Sequence, residues 1–170
     1  MKTFTQKMCL AAMFAAIAYV LTTFASIQYA GGGYLNFGDA IIMLGAVILG
    51  PWWGALIGAI AGGLADLTLG GFLFIPFTIV AKGGEAIIIG LLHKVFPKKI
   101  KWLSLILGAI WMILTYFVCY VILYGWGSLL SSAFDCIQGA VAVILAIAME
   151  QVFKRIAPSL FEKQDETKNT

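Results

Sequence analysis

Long apolar runs occupy most of the 170-residue chain, and they constrain its fold more than any other feature of the sequence. Hydrophobic residues make up 62% of the chain and charged residues only 11%, whereas a soluble domain carries about 25% charged residues. The core of a globular protein of this size cannot hold so much apolar surface, so the excess must face lipid. The sequence therefore predicts an all-α integral membrane protein.

The apolar runs divide into six predicted transmembrane helices, since a spanning helix needs about 20 residues. The second run is too short for a full crossing and turns at "GPWWG" directly into the third, which predicts a tight helical hairpin or a partly re-entrant segment. The predicted spans are residues 7–28, 37–50, 51–70, 73–93, 102–124 and 131–153. We expect one membrane domain over residues 1–155 and a polar cytoplasmic tail over residues 156–170.

The basic residues fall on one side of these six crossings. They group before the first span, between the fourth and fifth spans, and after the sixth. Ten of the eleven Lys and Arg residues belong to these groups, and the eleventh is Lys82, inside the fourth span. The positive-inside rule then places both termini in the cytoplasm, and a five-span or seven-span arrangement would split the basic groups across the membrane.

Several charged residues lie where a bilayer makes them costly, at about 2.5–3.5 kcal/mol for each charge at a helix centre. Lys82 and Glu85 are three residues apart near the middle of the fourth span, so they share one helix face. Lys82 is expected to pair with Glu85, or with Asp66 of the neighbouring helix. Asp39 opens the second span, where it would serve as an N-cap or first-turn acid.

The polar groups come from several spans and cluster toward the outer leaflet, which favours a pocket for a hydrophilic solute. A buried ion-pair cluster that only fixes helix register is the structural alternative. The glycine-rich segment at residues 28–37 would cover such a pocket, or would be a plain flexible loop. The candidate substrate-binding residues are Tyr34, Asn36, Asp39, Asp66, Lys82, Glu85, Asp135 and Gln138.

Catalytic and metal-binding patterns are weak in this sequence. His93 is the single histidine. It lies at the cytoplasmic end of the fourth span with no acid nearby in the sequence, and we interpret it as solvated or facing the lipid headgroups. Cys9, Cys119 and Cys136 are isolated from one another, which argues against a disulfide framework or a zinc site. We expect a chain that is not an enzyme and that holds no metal and no cofactor of its own.

Two surfaces of small residues predict close helix packing. In the third span, glycines recur every four residues, at Gly50, Gly54, Gly58 and Gly62. Because this step drifts about 40° around a helix per repeat, the row is a spiral in which only neighbouring members share a contact. In the first span, alanines four residues apart form two pairs, Ala11 with Ala15 and Ala12 with Ala16. Each pair would face either a helix of the same chain or another protein.

Several motifs together resemble the substrate-binding S components of energy-coupling-factor (ECF) vitamin transporters. The similarity covers about residues 5–155 in layout. It is most specific at the Asn-x-Gly-Asp stretch of 36–39, the Leu-Gly-Pro turn, the Ala-Asp-Leu at 65–67 and the spacing from Pro76 to Lys82. The resemblance implies six helices with both termini inside. It also implies a binding site near the outer surface, under the loop that joins the first two spans.

The resemblance further implies a mechanism, partners and a location. An S component binds one vitamin or precursor and hydrolyses nothing itself. It docks on a membrane scaffold subunit bound to two cytoplasmic ATPases, which use the ATP. An Ala-x-x-x-Ala motif on the first span belongs to the docking surface, and Ala11/Ala15 or Ala12/Ala16 match it, with the former slightly preferred. The chain most resembles the members assigned to hydroxymethylpyrimidine or pyridoxine, and a bacterial plasma membrane is expected.

A stand-alone secondary transporter or channel for a small polar solute is the alternative function. Such a protein would work without ATPase partners, and the lack of an evident internal repeat counts against it. An intramembrane enzyme is disfavoured by the position of His93. A purely structural membrane subunit would lose stability, but no solute binding, when Lys82 is neutralised.

Overall fold

The computed structural model describes residues 3–28, 34–126, 129–158 and 161, with the backbone alone at residues 28, 34, 35, 129 and 130. Six α-helices form this part of the chain: α1 Phe4–Phe24, α2 Gly38–Leu49, α3 Pro51–Leu69, α4 Ile75–Val95, α5 Trp102–Tyr124 and α6 Leu129–Ile156. Two short strands, β1 Ile27–Gln28 and β2 Tyr34–Leu35, pair antiparallel between α1 and α2. A single 3-10 turn, Lys98–Ile100, precedes α5. The predicted all-α fold is confirmed.

Helix α2 is the short central element of the bundle. Each of the other five helices has 19 or more residues in an apolar stretch long enough to cross a membrane. The 12 residues of α2 are all buried, and they extend over only about 18 Å. Gly50, at a φ of 92°, then turns the chain into α3, which begins at Pro51. The second run is therefore one arm of a helical hairpin that lies inside the bundle.

The glycine row of α3 brings three helices into close contact. Gly54 packs against the backbone of α2. Gly58 and Gly62 pack against α4, where a Cβ would lie 2.8 Å from the carbonyl oxygen of Lys82 and 2.6 Å from Thr78 Cγ2. Gly54 thus faces α2, whereas the neighbouring pair Gly58 and Gly62 shares α4, as expected for a row in which only neighbouring members share a contact. This packing sets the position of Lys82 against α3.

Three contacts bring the basic ends of the helices to one side of the molecule. The Phe4 ring, at the start of α1, lies 5.4 Å from the Trp53 ring at the start of α3. Lys94, at the end of α4, lies beside Gly50. The ends of α4 and α6 meet where His93 approaches Glu150. By the positive-inside rule this is the cytoplasmic end, and the opposite end is the outer one. Residues 162–170 lie outside the described residues.

Candidate binding site

Seven of the eight predicted site residues are buried, each with 3% or less of its surface exposed. They lie at the start of α2, the end of α3, the outer half of α4 and the start of α6, so the fold brings them together in the outer half of the bundle. The side chain of Tyr34 lies outside the described ones. The seven residues are Asn36, Asp39, Asp66, Lys82, Glu85, Asp135 and Gln138.

Lys82 and Asp39 form the central ion pair of this cluster. Lys82 Nζ lies 2.5 Å from Asp39 Oδ1, and both side chains are buried. Asp39 occupies the first turn of α2, as predicted, where the helix dipole favours an acid. Asp39 was not predicted as the ion-pair partner, whereas the charge of Glu85, one of the two predicted partners, does act on Lys82. The spacing along α4 indicates which residues share a helix face, but it does not indicate which neighbouring helix supplies the counter-charge.

An amide network holds Asp39 from the other side. Gln138 Nε2 donates to Asp39 Oδ2 over 2.6 Å, and Gln138 Oε1 accepts from the backbone N–H of Asn36 over 3.0 Å. Asn36 Oδ1 in turn accepts from the Gly38 backbone N–H over 2.9 Å and from Thr22 Oγ1 over 3.2 Å. Side-chain bonds to the backbone two residues on are typical of Asx turns. The turn therefore aims Asp39 into the bundle and ties it to α1 and α6.

Two aromatic rings of α5 lie next to the ion pair of Lys82 and Asp39. Lys82 Nζ lies 5.4 Å from the centroid of the Tyr116 ring, and the Tyr116 hydroxyl donates to Thr78 Oγ1 over 3.0 Å. Tyr116 and Tyr120 lie 6.3 Å apart with their planes 27° apart, and Phe74 packs edge-on to Tyr120 at 5.9 Å. Neither tyrosine is among the site residues predicted from the sequence. Their signal was the four-residue spacing within one aliphatic helix, which puts two polar rings on a single face.

Three further acids, Asp66, Glu85 and Asp135, are buried in the same half of the bundle. The charges of Glu85 and Asp135 act on Lys82, and those of Asp66 and Asp135 act on Cys119. Glu85 is fully buried, yet neither of its carboxyl oxygens accepts a hydrogen bond from the residues that the structure describes. In the described ranges, no three His, Cys, Asp or Glu side chains are grouped so as to hold a metal ion.

A second polar cluster lies at the cytoplasmic end. His93 Nδ1 lies 3.1 Å from Ser104 Oγ, and His93 Nε2 lies 3.6 Å from Glu150 Oε1, which also accepts from Lys154 Nζ. The interpretation of His93 as solvated or headgroup-facing is wrong: the side chain is buried, and its acid comes from α6, distant in the sequence. Ser104 is buried and donates its hydroxyl to the carbonyl oxygen of Lys101. The cluster therefore connects α4, α5 and α6 and presents no accessible nucleophile.

The two alanine pairs of α1 face in different directions. Ala11 and Ala15, the pair preferred from the sequence, are 6% and 8% exposed and belong to the hydrophobic core of the chain itself. Ala12 and Ala16 are exposed on the outside of the bundle. A second protein can contact the exposed pair without any rearrangement of the bundle.

Comparison with known proteins identifies the family. A profile of the ECF-type riboflavin transporter S component matches residues 2–157. The chain belongs to this family of ECF S components. An uncharacterized protein in a gap 3' region of Pyrococcus woesei is 37% identical over 134 residues, which cover 77% of this chain and 90% of that protein. The thiamine precursor transporter HmpT of Lactococcus lactis subsp. cremoris (strain MG1363) is 28% identical over 153 residues, which cover 88% of this chain and 89% of HmpT.

Family membership confirms the resemblance that the motifs indicated. This S component is a multi-pass membrane protein and a transporter subunit for a vitamin or a vitamin precursor. The two names refer to different substrates. The family is named for riboflavin, whereas HmpT is named for a thiamine precursor.

Proposed function

We propose that the chain is the substrate-binding subunit of an ATP-driven ECF importer in a bacterial plasma membrane. It captures a small water-soluble vitamin or precursor at the outer face. It then delivers the solute inward by docking on a transmembrane scaffold with two ATPase subunits, which use the ATP, while the chain itself needs no cofactor. The observation that carries this proposal is the buried cluster around Lys82 and Asp39, placed in the outer half of an S-component bundle.

Hydroxymethylpyrimidine is the substrate that we favour. The similarity to HmpT, named a thiamine precursor transporter, extends over 88% of the chain. The cluster offers charge-assisted hydrogen bonds to ring nitrogens and hydroxyl groups, and Tyr116 and Tyr120 offer rings on which a flat heterocycle stacks. Pyridoxine has the same kind of groups, and riboflavin is named by the family. Both belong in the same test.

Docking on the scaffold is assigned to the exposed face of α1. Ala12 and Ala16 lie four residues apart on that face, and small residues at this spacing let two helix backbones approach closely in lipid. Ala11 and Ala15 fill the core of the chain instead. We therefore assign the Ala-x-x-x-Ala docking motif to the pair Ala12 and Ala16.

A thermal-shift screen tests the binding function. The purified protein in detergent is melted with hydroxymethylpyrimidine, pyridoxine, riboflavin and other water-soluble vitamins. A ligand that binds only the folded state raises the free energy of unfolding by about 4 kcal/mol at a thousandfold excess over its Kd. We expect one compound to raise the Tm clearly. A folded protein whose Tm no compound changes would contradict the proposal.

Reconstitution separates the importer from a stand-alone transporter. Proteoliposomes that contain the chain alone are compared with proteoliposomes that also contain an ECF scaffold and ATPases, using the radiolabelled compound found in the screen. We expect uptake only with the full complex and ATP. Uptake by the chain alone, without ATP, would support the secondary transporter or channel instead.

A further inference from the structure

Glu85 bears on the class of substrate that the site accepts, an inference that rests on the proposed function. It follows Lys82 by three residues on α4, which places it about 4.5 Å deeper in the bundle. The side chain is fully buried, and neither of its carboxyl oxygens accepts a hydrogen bond from the residues that the structure describes. Its carboxyl group interacts with the charges of Asp39 and Lys82, so it faces the polar cluster. Both of its oxygen atoms can therefore bond to a substrate held there.

The surroundings of this carboxyl group favour its neutral form. An ionised carboxylate without a hydrogen-bond donor is costly away from water, and the negative charge of Asp39 adds to that cost. Lys82 has the opposite effect, but its ammonium already pairs with Asp39 over 2.5 Å. The balance of these effects makes Glu85 a neutral carboxylic acid.

A neutral carboxylic acid presents two different hydrogen-bonding groups side by side. Its O–H donates one hydrogen bond, and its C=O accepts another. The substrate edge that matches both has an acceptor atom next to an N–H donor, and two parallel bonds then fix the orientation of the ring as well as its position. An amino group beside a ring nitrogen has this pattern, and so does the imide edge of a flavin.

We propose that Glu85, as a neutral acid, forms this pair of hydrogen bonds with the substrate and selects heterocycles that carry an N–H donor beside an acceptor. Hydroxymethylpyrimidine meets the requirement, since its amino group is attached next to a ring nitrogen. Pyridoxine does not, because the ring carbons next to its nitrogen carry only hydrogen and a methyl group. The chain should therefore prefer the aminopyrimidine to pyridoxine, a choice that depends on one side chain and not on the shared six-helix fold.

Matched ligands test the pairing from the side of the substrate. Hydroxymethylpyrimidine is compared with its desamino analogue by equilibrium binding to the detergent-purified protein. The analogue without the ring methyl group is the control, since it loses a group of similar size but keeps the donor and the acceptor. We expect the desamino compound to bind about 10- to 100-fold more weakly, because it leaves a buried acceptor unpaired, and the control to lose much less.

The outcomes separate this inference from the proposed function. A desamino compound that binds as tightly as its parent overturns the inference and leaves the proposed function intact. The same holds if the tightest ligand of the thermal-shift screen lacks an N–H donor beside an acceptor. Failure of every compound in that screen to bind overturns the proposed function, and this inference with it.

Two substitutions test the pairing from the side of the protein. Glu85→Gln keeps an N–H donor beside a C=O acceptor, so we expect its affinity for the tightest ligand to stay close to that of wild type. Glu85→Leu removes both groups and should lower the affinity about 100-fold. An ionised Glu85 would give a different result, because the Gln variant would then lose the charge and bind as poorly as the Leu variant. Equal losses in the two variants overturn the inference.

The stability of the ligand-free variants distinguishes binding from a structural role. Glu85→Leu removes a carboxyl group that accepts no hydrogen bond from the described residues, so we expect its Tm to stay level or rise. The control is Glu150→Leu at the cytoplasmic end, which removes the acceptor of Lys154 and should lower the Tm without a change in affinity. Glu85→Met serves if the Leu variant does not fold. A lowered Tm with wild-type affinity would show a structural role and overturn the inference.

Infrared difference spectra of the ligand-bound and ligand-free protein report the protonation state of Glu85. The C=O stretching band of a protonated carboxyl group is separate from the bands of a carboxylate. We expect ligand binding to shift such a band in wild type and in Glu150→Leu, but not in Glu85→Gln. Spectra in which Glu85 contributes only carboxylate bands overturn the inference.

Discussion

Lys82 is held at membrane depth by groups from two other helices. Asp39 of α2 supplies the counter-charge at 2.5 Å, and the Tyr116 ring of α5 lies 5.4 Å from the ammonium. Gln138 binds the second oxygen of Asp39, so the ion pair has hydrogen-bond partners beyond its own two members. Buried ion pairs contribute little net stability when intact, but breaking one leaves an uncompensated charge. We therefore expect that removing either Lys82 or Asp39 alone destabilises the protein.

Neutralising the cation should therefore destabilise the protein. We expect Lys82→Met to lower the free energy of unfolding by about 3–5 kcal/mol, because Asp39 is then buried without its counter-charge. The double variant Lys82→Met/Asp39→Asn should recover part of this loss, which a double-mutant cycle measures as a coupling energy. Lys154→Met is the control, since its side chain is 48% exposed and exposed pairs contribute about 1 kcal/mol or less. Equal losses for Lys82→Met and Lys154→Met would contradict the account.

At the residue scale, the sequence identified the members of the site better than their contacts. The rule that a charge inside a membrane span is energetically costly selected Lys82 and the acids around it. The rule does not say which acid pairs with the cation, because the pairing depends on how α2 packs against α4. His93 shows the same limit, since Ser104 and Glu150 come from other helices.

At the element scale, α3 positions the site through its glycines. Gly58 faces the backbone of Lys82, whereas a Cβ at Gly63 would make only an ordinary van der Waals contact, 3.8 Å from Ile79 Cγ1. We expect Gly58→Ala to cost about 1–3 kcal/mol and to weaken ligand binding, because α4 must move. Gly63→Ala should be neutral or stabilise the helix by up to about 1 kcal/mol. Chemical unfolding and ligand binding of the two variants measure this contrast, and equal effects would contradict it.

The two faces of α1 should respond differently to bulky side chains. Ala15→Trp places a large ring in the core of the chain, so we expect poor folding and loss of binding. Ala16→Trp adds the ring on the exposed face, so the protein should fold and bind its ligand normally but fail to associate with the scaffold subunit. Co-purification of the complex measures the difference. An Ala16→Trp protein that still docks with wild-type affinity would place the docking surface elsewhere.

Helix lengths and the packing row of α3 could be predicted because both are periodic patterns along one element. The short second run indicated the α2–α3 hairpin, and the four-residue glycine step indicated a spiral contact. Two features could not be predicted from one helix alone, because they depend on how the helices pack together. One was the complete burial of α2, and the other was which alanine pair of α1 faces its own chain.

At the scale of the whole molecule, the distribution of basic residues predicted the topology. The contacts that join the starts of α1 and α3 and the ends of α4 and α6 place those residues at one end. The cluster around Lys82 lies in the opposite half, where Asn36, just before α2, bonds to Gln138 of α6. Family membership follows from motifs spread over the chain, whereas the substrate depends on a few side chains within a shared fold.

Equilibrium binding of radiolabelled hydroxymethylpyrimidine to the purified protein tests the central claim, that the cluster around Lys82 is the solute site. Wild type, Lys82→Met and Lys154→Met are compared in detergent, with circular dichroism to show that each variant is folded. We expect one ligand per chain for wild type and Lys154→Met, and no measurable binding for Lys82→Met. A folded Lys82→Met protein that binds the ligand as tightly as wild type would contradict the account.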